Sequence, residues 1–445
     1  MCDIALALPD ATRNGTVIFA KNSDRPAGES QVLSPSPARE PKSGTIDCSY
    51  VRIADARSLA TVGTRPYWSW GYETGVNEAG VIGGNTAVFT RPLHDPENRR
   101  QLGLTGLELL RLALERSESA EQAVRIVADL LEEHGQWGSA VRGASHEEGS
   151  YDNAFLLADR KEGWILETAG RDWAAQRIPT GTRSLSNQLT IRNPVTLSSD
   201  RCLDTARRRG WWRGADEDFD FALAFSDHEH FARQVSQPRW RRTTTLLEEA
   251  APAVDARTMI RLLRDHYEDT FLGGPLFSPF LPDFQTVCMH DSPAGFTWGD
   301  TATSLVIELD PNVLEPPVCW FAYLPPCCGV FLPFVPFRDR LPESVCRVGS
   351  AGLQVRSPVR VEPDRPAESS LWWKFHRLVK SMARESSRRA VVREAFDAIE
   401  DRLLLAVERG AEAPGDLLAD ALAEVEGVLS EFTRRWDVDS GNPVS

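Results

Sequence analysis

The sequence predicts an α+β fold in which short strands form layered sheets and helices cover them. Three observations support this prediction. Alternating apolar residues on both sides of a polar turn indicate a hairpin in residues 2–20, and a series of short apolar segments spans residues 151–188. Between these two regions, residues 105–134 have the apolar spacing of two amphipathic helices. Strands and helices that are gathered in separate stretches are typical of α+β domains.

Composition and charge narrow the classes of function. The chain has 445 residues, of which 42% are hydrophobic and 26% charged, so it can bury a large core. The formal net charge of −14 argues against nucleic acid or an anionic membrane surface as a partner. We expect a cytoplasmic protein with no secretory signal and no membrane insertion, because the first apolar run is short and contains Asp3. The eight cysteines show no disulfide framework, so we expect reduced thiols.

The first candidate site lies in the N-terminal hairpin. The alternation of residues 4–8, the turn signal at Asn14-Gly15 and the β-prone residues 16–20 predict two antiparallel strands. The returning strand would bring a polar cluster back beside Cys2, namely Lys21, Asn22, Asp24 and Arg25. A carboxylate near an ammonium and a cation near a thiolate would suit a reactive cysteine, although a solvated turn is the more usual fate of such residues.

Cys2 is separated from Met1 by a single peptide bond. If Met1 is removed, Cys2 carries both a thiol and a free α-amino group. The reference pKa of an α-amino group is about 7.7–8.0 and that of a cysteine thiol is about 8.5, so the amine can accept the thiol proton near neutral pH. The structural alternative is that Cys2 is only a small apolar residue at the start of a strand.

Further candidates follow the hairpin. Residues 26–44 are polar and rich in proline and serine, which predicts a surface loop. The aromatic segment Tyr67–Tyr72, with Trp68, could line a substrate cleft, although a packed cluster is the more common outcome. Gly83 and Gly84 allow a close backbone approach just before Asn85, which could otherwise merely close a turn.

The middle of the chain predicts two helices and a meander. A capping-box pattern at Ser119–Gln122 opens the second helix. We expect helices at residues 105–115 and 120–134, and strands at 151–159, 163–168 and 173–178, with a fourth strand of the same sheet ending near Asn187. Asn187 could equally be a turn residue at the end of a strand.

The second half of the chain contains a basic cluster and a shift in composition. An arginine of residues 238–243 could bind a substrate carboxylate, and a solvated basic turn is equally consistent with the pattern. We expect a helix at 256–268, strands at 286–290, 303–308 and 318–323, and then charged, leucine-striped helices at 368–384, 386–409 and 414–436. These patterns divide the chain into a domain of residues 1–345 and a helical extension of residues 346–445.

Other reactive motifs are not evident in the sequence. His228 and His230 could offer two imidazoles, but no third or fourth ligand stands at a recognisable spacing. There is no GxSxG, Walker or GxGxxG motif. We therefore predict no metal and no cofactor, and a cysteine–histidine pair of the papain type stays open.

Cys2-Asp3, the hairpin and Phe19–Arg25 together resemble the start of the secernins and related cysteine dipeptidases, a branch of the N-terminal-nucleophile (Ntn) hydrolases. The resemblance extends through NAFLLAD at 153–159, WILETAG at 164–170 and SLSNQL at 184–189, and it is weakest after residue 340. More distantly, the pattern is similar to the penicillin V acylases and bile salt hydrolases. The resemblance implies a four-layer αββα sandwich with a C-terminal helical appendage.

The resemblance also implies roles for individual residues. Cys2 would be the nucleophile, Asp24 would hold the α-ammonium, and Lys21 would stabilise the thiolate at a position where the acylase branch has arginine. The resemblance assigns Asn85 and Asn187 to the oxyanion. It places the site arginine at Arg239, with Arg242 as the second choice. We also expect Arg242, Trp68 and Asn153 to contact the substrate.

From these roles we expect an amidohydrolase or dipeptidase that cleaves a small peptide or amide through an acyl-enzyme. An apolar cleft would favour an N-acyl amide or lactam substrate, whereas an exposed arginine would favour a dipeptide. A regulatory protein with little hydrolase activity is a further alternative, because animal secernins are implicated in exocytosis. The C-terminal helices could also form the interface of a homo-oligomer.

Overall fold

The computed structural model describes residues 1–42, 44–95, 101–232, 235–273, 278–354, 358–385, 387–410 and 414–436. In chain order, the strands are β1 (Cys2–Ala7), β2 (Val17–Arg25), β3 (Gln31–Ser36), β4 (Thr45–Asp47), β5 (Arg52–Ala54), β6 (Thr61–Pro66), β7 (Thr74–Asn77), β8 (Ile82–Val88), β9 (Asp152–Ala158), β10 (Gly163–Ala169), β11 (Asp172–Ile178), β12 (Thr182–Leu185), β13 (Leu197–Ser198), β14 (Asp300–Leu309), β15 (Val318–Tyr323) and β16 (Leu332–Phe334). The α-helices are α1 (Gly106–Arg116), α2 (Ala120–His134), α3 (His146–Gly149), α4 (Cys202–Arg208), α5 (Phe221–Phe225), α6 (Gln237–Ala250), α7 (Ala256–Leu263), α8 (Glu343–Cys346), α9 (Leu371–Arg384), α10 (Ser387–Arg409) and α11 (Pro414–Arg435).

The strands form two large antiparallel sheets that face each other. One has the order β12-β1-β2-β14-β15-β16, and the other has the order β13-β11-β10-β9-β8-β7-β6-β3. Successive side chains of β9 point to opposite faces of the sheet, so this strand contributes to two interfaces. Leu156 joins Ile4 and Phe19 in the core between the sheets, while Phe155 and Leu157 point to the opposite side and join the leucines of α1 and α2.

Helices cover the outer side of each sheet. The helices α1 and α2 pack on the eight-stranded sheet, and α6 and α7 pack on the six-stranded sheet. This is the helix–sheet–sheet–helix order, so the predicted α+β class and the αββα layering are both confirmed.

Two adjacent glycines of β8 allow the layers to approach closely. A Cβ atom on Gly84 would lie 2.8 Å from Cδ of Lys21 in the facing sheet, and one on Gly83 would lie 2.8 Å from Leu110 of α1. The predicted close approach is therefore confirmed. It brings β8, and with it Asn85, next to the strand that carries Lys21.

Several predicted elements are wrong. Residues 26–44 contain β3, whose residues Gln31–Leu33 are buried and pair with β6, because a strand in a sheet can bury polar residues that turn chemistry alone assigns to a loop. The predicted strand at 286–290 does not form, and its buried residues follow an irregular path. The fourth strand of the meander, β12, pairs with β1 in the other sheet instead of with β11.

The C-terminal helices share the main core with the sheets. Trp372, Phe396 and Val425 belong to the same buried cluster as Ile4, and α11 packs on β16. Arg264, which follows α7, forms an ion pair of 2.7 Å with Glu400 of α10. The domain boundary between residues 345 and 346 stays a prediction. None of the helices in the described ranges combines the length and the apolar composition that crossing a bilayer requires.

Candidate active site

Cys2 begins β1 and lies between β2 and β12. The β1–β2 register places Cys2 opposite Ser23 and Asp3 opposite Asn22. The hairpin therefore brings the polar cluster back beside Cys2, as predicted. The Cys2 side chain is 8% exposed, and its backbone N–H donates a 3.0 Å hydrogen bond to Oδ1 of Asn187.

Cys2 lines a cavity of about 310 Å³ between the two sheets and the loops above them. The polar part of its lining includes Asp24, Arg25, Glu73, Asn85 and Glu148, and the apolar part includes Phe89, Leu107, Val141, Phe231, Val235 and Trp298. The cavity is at the small end of the size range of ligand pockets, so it suits a small molecule.

Three buried charges surround the thiol. Lys21 is fully buried, and its Nζ donates a 2.7 Å hydrogen bond to Ser23 and lies 3.8 Å from Oε2 of Glu73. Arg25 lies 3.4 Å from the other oxygen of Glu73. Burial opposes ionisation of Glu73, but Arg25 and Lys21 hold its pKa below the ordinary value. Burial raises the pKa of the Cys2 thiol, and the charge of Lys21 acts in the opposite direction.

Asp24 lies beside the N-terminus. The Met1 ammonium donates a 3.0 Å hydrogen bond to the backbone carbonyl of Asp24, and the Asp24 N–H donates a 2.8 Å bond to the Met1 carbonyl. Oδ1 of Asp24 accepts a 2.7 Å hydrogen bond from Thr301, while Oδ2 is buried and has no hydrogen-bond partner among the described residues. Burial raises the pKa of Asp24 to about 7, although the nearby ammonium opposes the shift.

Arg239 reaches the same site from α6. It is fully buried, forms an ion pair with Asp3, and donates a 2.8 Å hydrogen bond from Nη2 to Oδ1 of Asn187. Oδ1 of Asn187 therefore accepts hydrogen bonds from both Cys2 and Arg239, while Nδ2 of Asn187 donates to the Ala87 carbonyl at 2.7 Å. The basic cluster is thus helical and partly buried, and the alternative of a solvated turn is excluded.

Asn85 lines the cavity and is held by its neighbour on β9. Nδ2 of Asn85 donates a 3.0 Å hydrogen bond to Oδ1 of Asn153, and Asn153 in turn donates a 3.1 Å bond to Gln136. Asn153 is not part of the cavity lining, and its side-chain hydrogen bond orients Asn85. Its predicted contact with substrate stays a prediction.

The cavity lining also lacks five other predicted residues, namely Lys21, Asn187, Arg239, Trp68 and Arg242. Trp68 is 1% exposed and packs against the Arg25 guanidinium, which lies 5.6 Å from its ring. Arg242 is paired with Asp265 at 2.6 Å. Trp68 thus matches the packed aromatic alternative, and the predicted substrate contacts of Trp68 and Arg242 stay predictions.

Neither Glu73 nor Asp3, the partner of Arg239, was predicted from the sequence as a site residue. Asp3 did carry a signal, because a carboxylate inside an apolar strand is costly unless a cation pairs with it. Glu73 carried none, since it stands in an aromatic and glycine-rich segment that gives no hint of two buried cations. All eight cysteines are free thiols, as predicted.

Part of the chain is similar in sequence to known proteins. The profile of peptidase family C69 matches residues 71–263. A dipeptidase of Bifidobacterium longum (strain NCC 2705) is 26% identical over 214 residues, which is 43% of this chain but only 38% of the dipeptidase. The match therefore spans well under half the length of that relative.

Similar solved structures include a C2A mutant of conjugated bile acid hydrolase from Clostridium perfringens, at 10% identity and a TM-score of 0.43 over 76% of this chain and 94% of that chain. They also include a penicillin V acylase from Agrobacterium tumefaciens, at 13% identity and a TM-score of 0.41 over 82% of this chain and 98% of that chain.

Two facing sheets covered by helices, with Cys2 at the start of the first strand beside the cavity, define the class: the protein is a four-layer αββα sandwich. Within that class, the similarity over residues 71–263 is to peptidase family C69, so the resemblance to the cysteine dipeptidases is confirmed.

Proposed function

We propose that the protein hydrolyses a small peptide or amide with Cys2 as an N-terminal nucleophile. One observation carries the proposal: the Cys2 side chain lines the cavity while Asn187 holds its backbone nitrogen at 3.0 Å. The thiol and the nitrogen of one residue are thereby oriented together. This is what a nucleophile that uses its own amine as base requires.

The mechanism requires cleavage of the peptide bond between Met1 and Cys2. The nitrogen that now donates to Asn187 would then become a free amine. After it takes the thiol proton, its positive charge would lie near Asp24, whose unpartnered Oδ2 can accept a hydrogen bond from the new ammonium. The pairing would lower the pKa of Asp24, because the ammonium favours the carboxylate.

The proposed reaction forms an acyl-enzyme on Cys2 and then hydrolyses it. The Cys2 thiolate attacks the amide carbonyl and forms a tetrahedral oxyanion. As the intermediate collapses, the C–N bond breaks and the Cys2 ammonium gives its proton to the leaving amine. After the leaving amine departs, the Cys2 amine removes a proton from water and the hydroxide attacks the thioester. The C–S bond then breaks to release the carboxylic acid, and the Cys2 ammonium returns its proton to the thiolate.

Asn85 and Asn187 supply the oxyanion donors in this proposal. A side-chain amide has two N–H groups. Asn153 accepts one from Asn85 and Ala87 accepts one from Asn187, so each asparagine keeps a second N–H for the oxyanion while its first contact fixes its orientation. Lys21 favours the thiolate, and Glu73 moderates that effect by pairing with Lys21.

The cavity supports an amide with an apolar group next to the scissile bond. Aromatic and aliphatic side chains form much of the lining, and Glu148 is an exposed carboxylate that could receive a free amino group. We favour dipeptides with apolar side chains, because the chain is similar to peptidase family C69 and to a dipeptidase. The second candidate is an N-acyl amide, because the apolar lining suits an acyl chain and Arg239 is fully buried and paired with Asp3.

The proposal is tested by assaying the wild type, Cys2→Ala and Cys2→Ser with apolar dipeptides and with N-acyl amino acids. We expect Cys2→Ala to lower kcat/KM by at least about 10³-fold, the scale at which loss of a nucleophile acts. The matched control is Cys346→Ala, which removes a partly exposed thiol outside the cavity lining and should leave turnover unchanged. Hydrolysis that survives Cys2→Ala would exclude Cys2 as the nucleophile.

The free state of all eight thiols supports the further proposal that the protein works in a reducing compartment such as the cytoplasm.

A further inference from the structure

Four metal-ligating side chains converge in the core outside the cavity lining. His266 follows α7, Cys288 and His290 lie in the irregular segment before β14, and Cys327 lies in the turn after β15. All four are buried, with at most 2% of each residue exposed. Their ligand atoms lie within 4.8 Å of one another.

Two of the separations between these atoms match a tetrahedral zinc site, and a third is shorter by about 0.5 Å. With Zn–N of about 2.0–2.1 Å and Zn–S of about 2.3 Å, a tetrahedron requires roughly 3.3 Å between two nitrogens and roughly 3.6 Å between nitrogen and sulfur. The two Nε2 atoms of His266 and His290 are 3.3 Å apart, and Nε2 of His290 is 3.7 Å from Cys288 Sγ and 3.1 Å from Cys327 Sγ.

A neighbouring carboxylate orients the first histidine. Nδ1 of His266 lies 3.0 Å from Oε1 of Glu268, which leaves Nε2 directed at the other three side chains. A carboxylate on the far nitrogen is the usual partner of a metal-bound imidazole, because it fixes the tautomer and the ring orientation. The Cys288 N–H also donates a 3.1 Å hydrogen bond to the Asp265 carbonyl, which ties two of the ligand-bearing segments together.

We propose that His266, Cys288, His290 and Cys327 bind one structural Zn²⁺ ion. Two thiolates and two imidazoles form a closed set of four protein ligands with no position for substrate, which distinguishes a structural zinc from a catalytic one. Binding releases the two thiol protons and gives a site with no net charge in the buried core. The ion would join three segments that have no other covalent connection nearby.

This site would also support the strand that carries Lys21 and Asp24. Nδ2 of Asn22 on β2 donates hydrogen bonds of 2.8 Å to the carbonyls of Leu263 and Val287. Leu263 ends α7, and Val287 immediately precedes Cys288. The zinc would therefore fix the two backbone segments against which β2 is held.

The test is the metal content of the full chain, purified without a histidine tag from zinc-containing medium. We expect one zinc per chain in the wild type and loss of zinc in Cys288→Ser. The matched control is Cys319→Ser, which alters an equally buried thiol on β15 outside the ligand set and should keep its zinc even if stability falls.

A measurement on the wild type covers the case in which Cys288→Ser does not fold. Titration with an organomercurial should release zinc in step with modification of thiols, and a Co²⁺-substituted protein should show the absorption of tetrahedral cobalt with thiolate ligands. Wild-type protein without a stoichiometric metal, or Cys288→Ser with as much zinc as Cys319→Ser, would overturn the proposal. Neither readout depends on hydrolysis or on removal of Met1.

Discussion

At the scale of single residues, the site is built from buried ionic and amide side chains, most of which are paired. Asp3 pairs with Arg239, Glu29 pairs with Arg25, and Glu73 lies near both Lys21 and Arg25. Such pairs cost desolvation energy, so they are weak evidence for stability by themselves. Their concentration around one thiol is better explained by chemistry that needs fixed charges.

Asn85→Ala should lower kcat on the order of 10²–10³-fold with little change in KM, because an oxyanion donor acts mainly in the transition state. Asn312→Ala, in an exposed loop after β14, is the control and should leave kcat unchanged. Steady-state kinetics on both variants, with melting temperatures, separate catalysis from folding. A wild-type kcat in Asn85→Ala would remove Asn85 from the mechanism.

Asp152 provides a pH-dependent prediction about stability. It is fully buried, accepts hydrogen bonds from Thr90 and Gly170, and burial raises its pKa from 3.8 to about 7. Between these pH values the native state binds more protons than the unfolded state, so this group contributes a stability that declines as pH rises from about 4 to about 7.

Asp152→Asn removes the titration and keeps the acceptor for the Gly170 N–H, while its Nδ2 can donate to the Thr90 hydroxyl, which then acts as the acceptor. Urea unfolding across the pH range should therefore show the variant becoming more stable relative to the wild type as pH rises, by on the order of 4 kcal/mol at about pH 8. Stability curves that stay parallel from about pH 4 to about pH 8 would contradict the raised pKa.

At the scale of elements, the site depends on close contacts between a helix and a sheet. Gly106 begins α1, and a Cβ atom on it would lie 1.8 Å from Oδ1 of Asn153, the atom that holds Asn85. The start of the helix thus limits where the two asparagines can lie.

Gly106→Ala should displace Asn153 and lower kcat by about 10²-fold, the cost of shifting a reacting group by about 1 Å. The control is Gly427→Ala on the exposed side of α11, where nothing lies within 4 Å of the added Cβ atom. That variant should be active and more stable by about 0.5–1 kcal/mol. Gly106→Ala with unchanged kcat would show that Asn153 does not position Asn85.

Local patterns predicted the elements well where periodicity and turn residues agree. The second helix has the predicted bounds of residues 120–134, and the β9–β10 hairpin and β15 lie where they were expected. The sheet to which β12 belongs could not be predicted in this way, because pairing with β1 is a contact between distant parts of the chain. The same holds for the cluster of His266, Cys288, His290 and Cys327, of which only Cys288 and His290 are close in the sequence.

The candidate site, too, could be predicted only in part from local sequence patterns. Cys2, Lys21 and Asp24 follow from one hairpin and its register, so sequence was sufficient to bring them together. Placing Asn187 and Arg239 at the same point needed the resemblance, since they arrive from β12 and α6. The position of Glu73 beside Lys21 and Arg25 is seen only in the folded structure.

At the scale of the whole molecule, the C-terminal helices are part of one folded unit with the sheets. Glu400 of α10 is 4% exposed, pairs with Arg264 and accepts a 2.9 Å hydrogen bond from the Phe331 N–H. Removing one partner of a buried pair leaves an uncompensated charge.

Glu400→Ala should therefore destabilise the protein by about 3–5 kcal/mol. Asp401→Ala is the matched control, because it removes an exposed carboxylate that pairs with Arg257 and should cost about 0–1 kcal/mol. Denaturant unfolding followed by tryptophan fluorescence measures both. Equal effects of the two substitutions would mean that α10 does not stabilise the sheet region through Glu400.

The central claim is that Cys2, with its own free amine, is the nucleophile. Its most direct test is mass spectrometry of active protein, both intact and as the N-terminal peptide after reaction with an electrophilic amide probe. We predict a mass that lacks Met1 and a single acyl adduct on Cys2. Active protein that retains Met1, or an adduct on a different cysteine, would contradict the account.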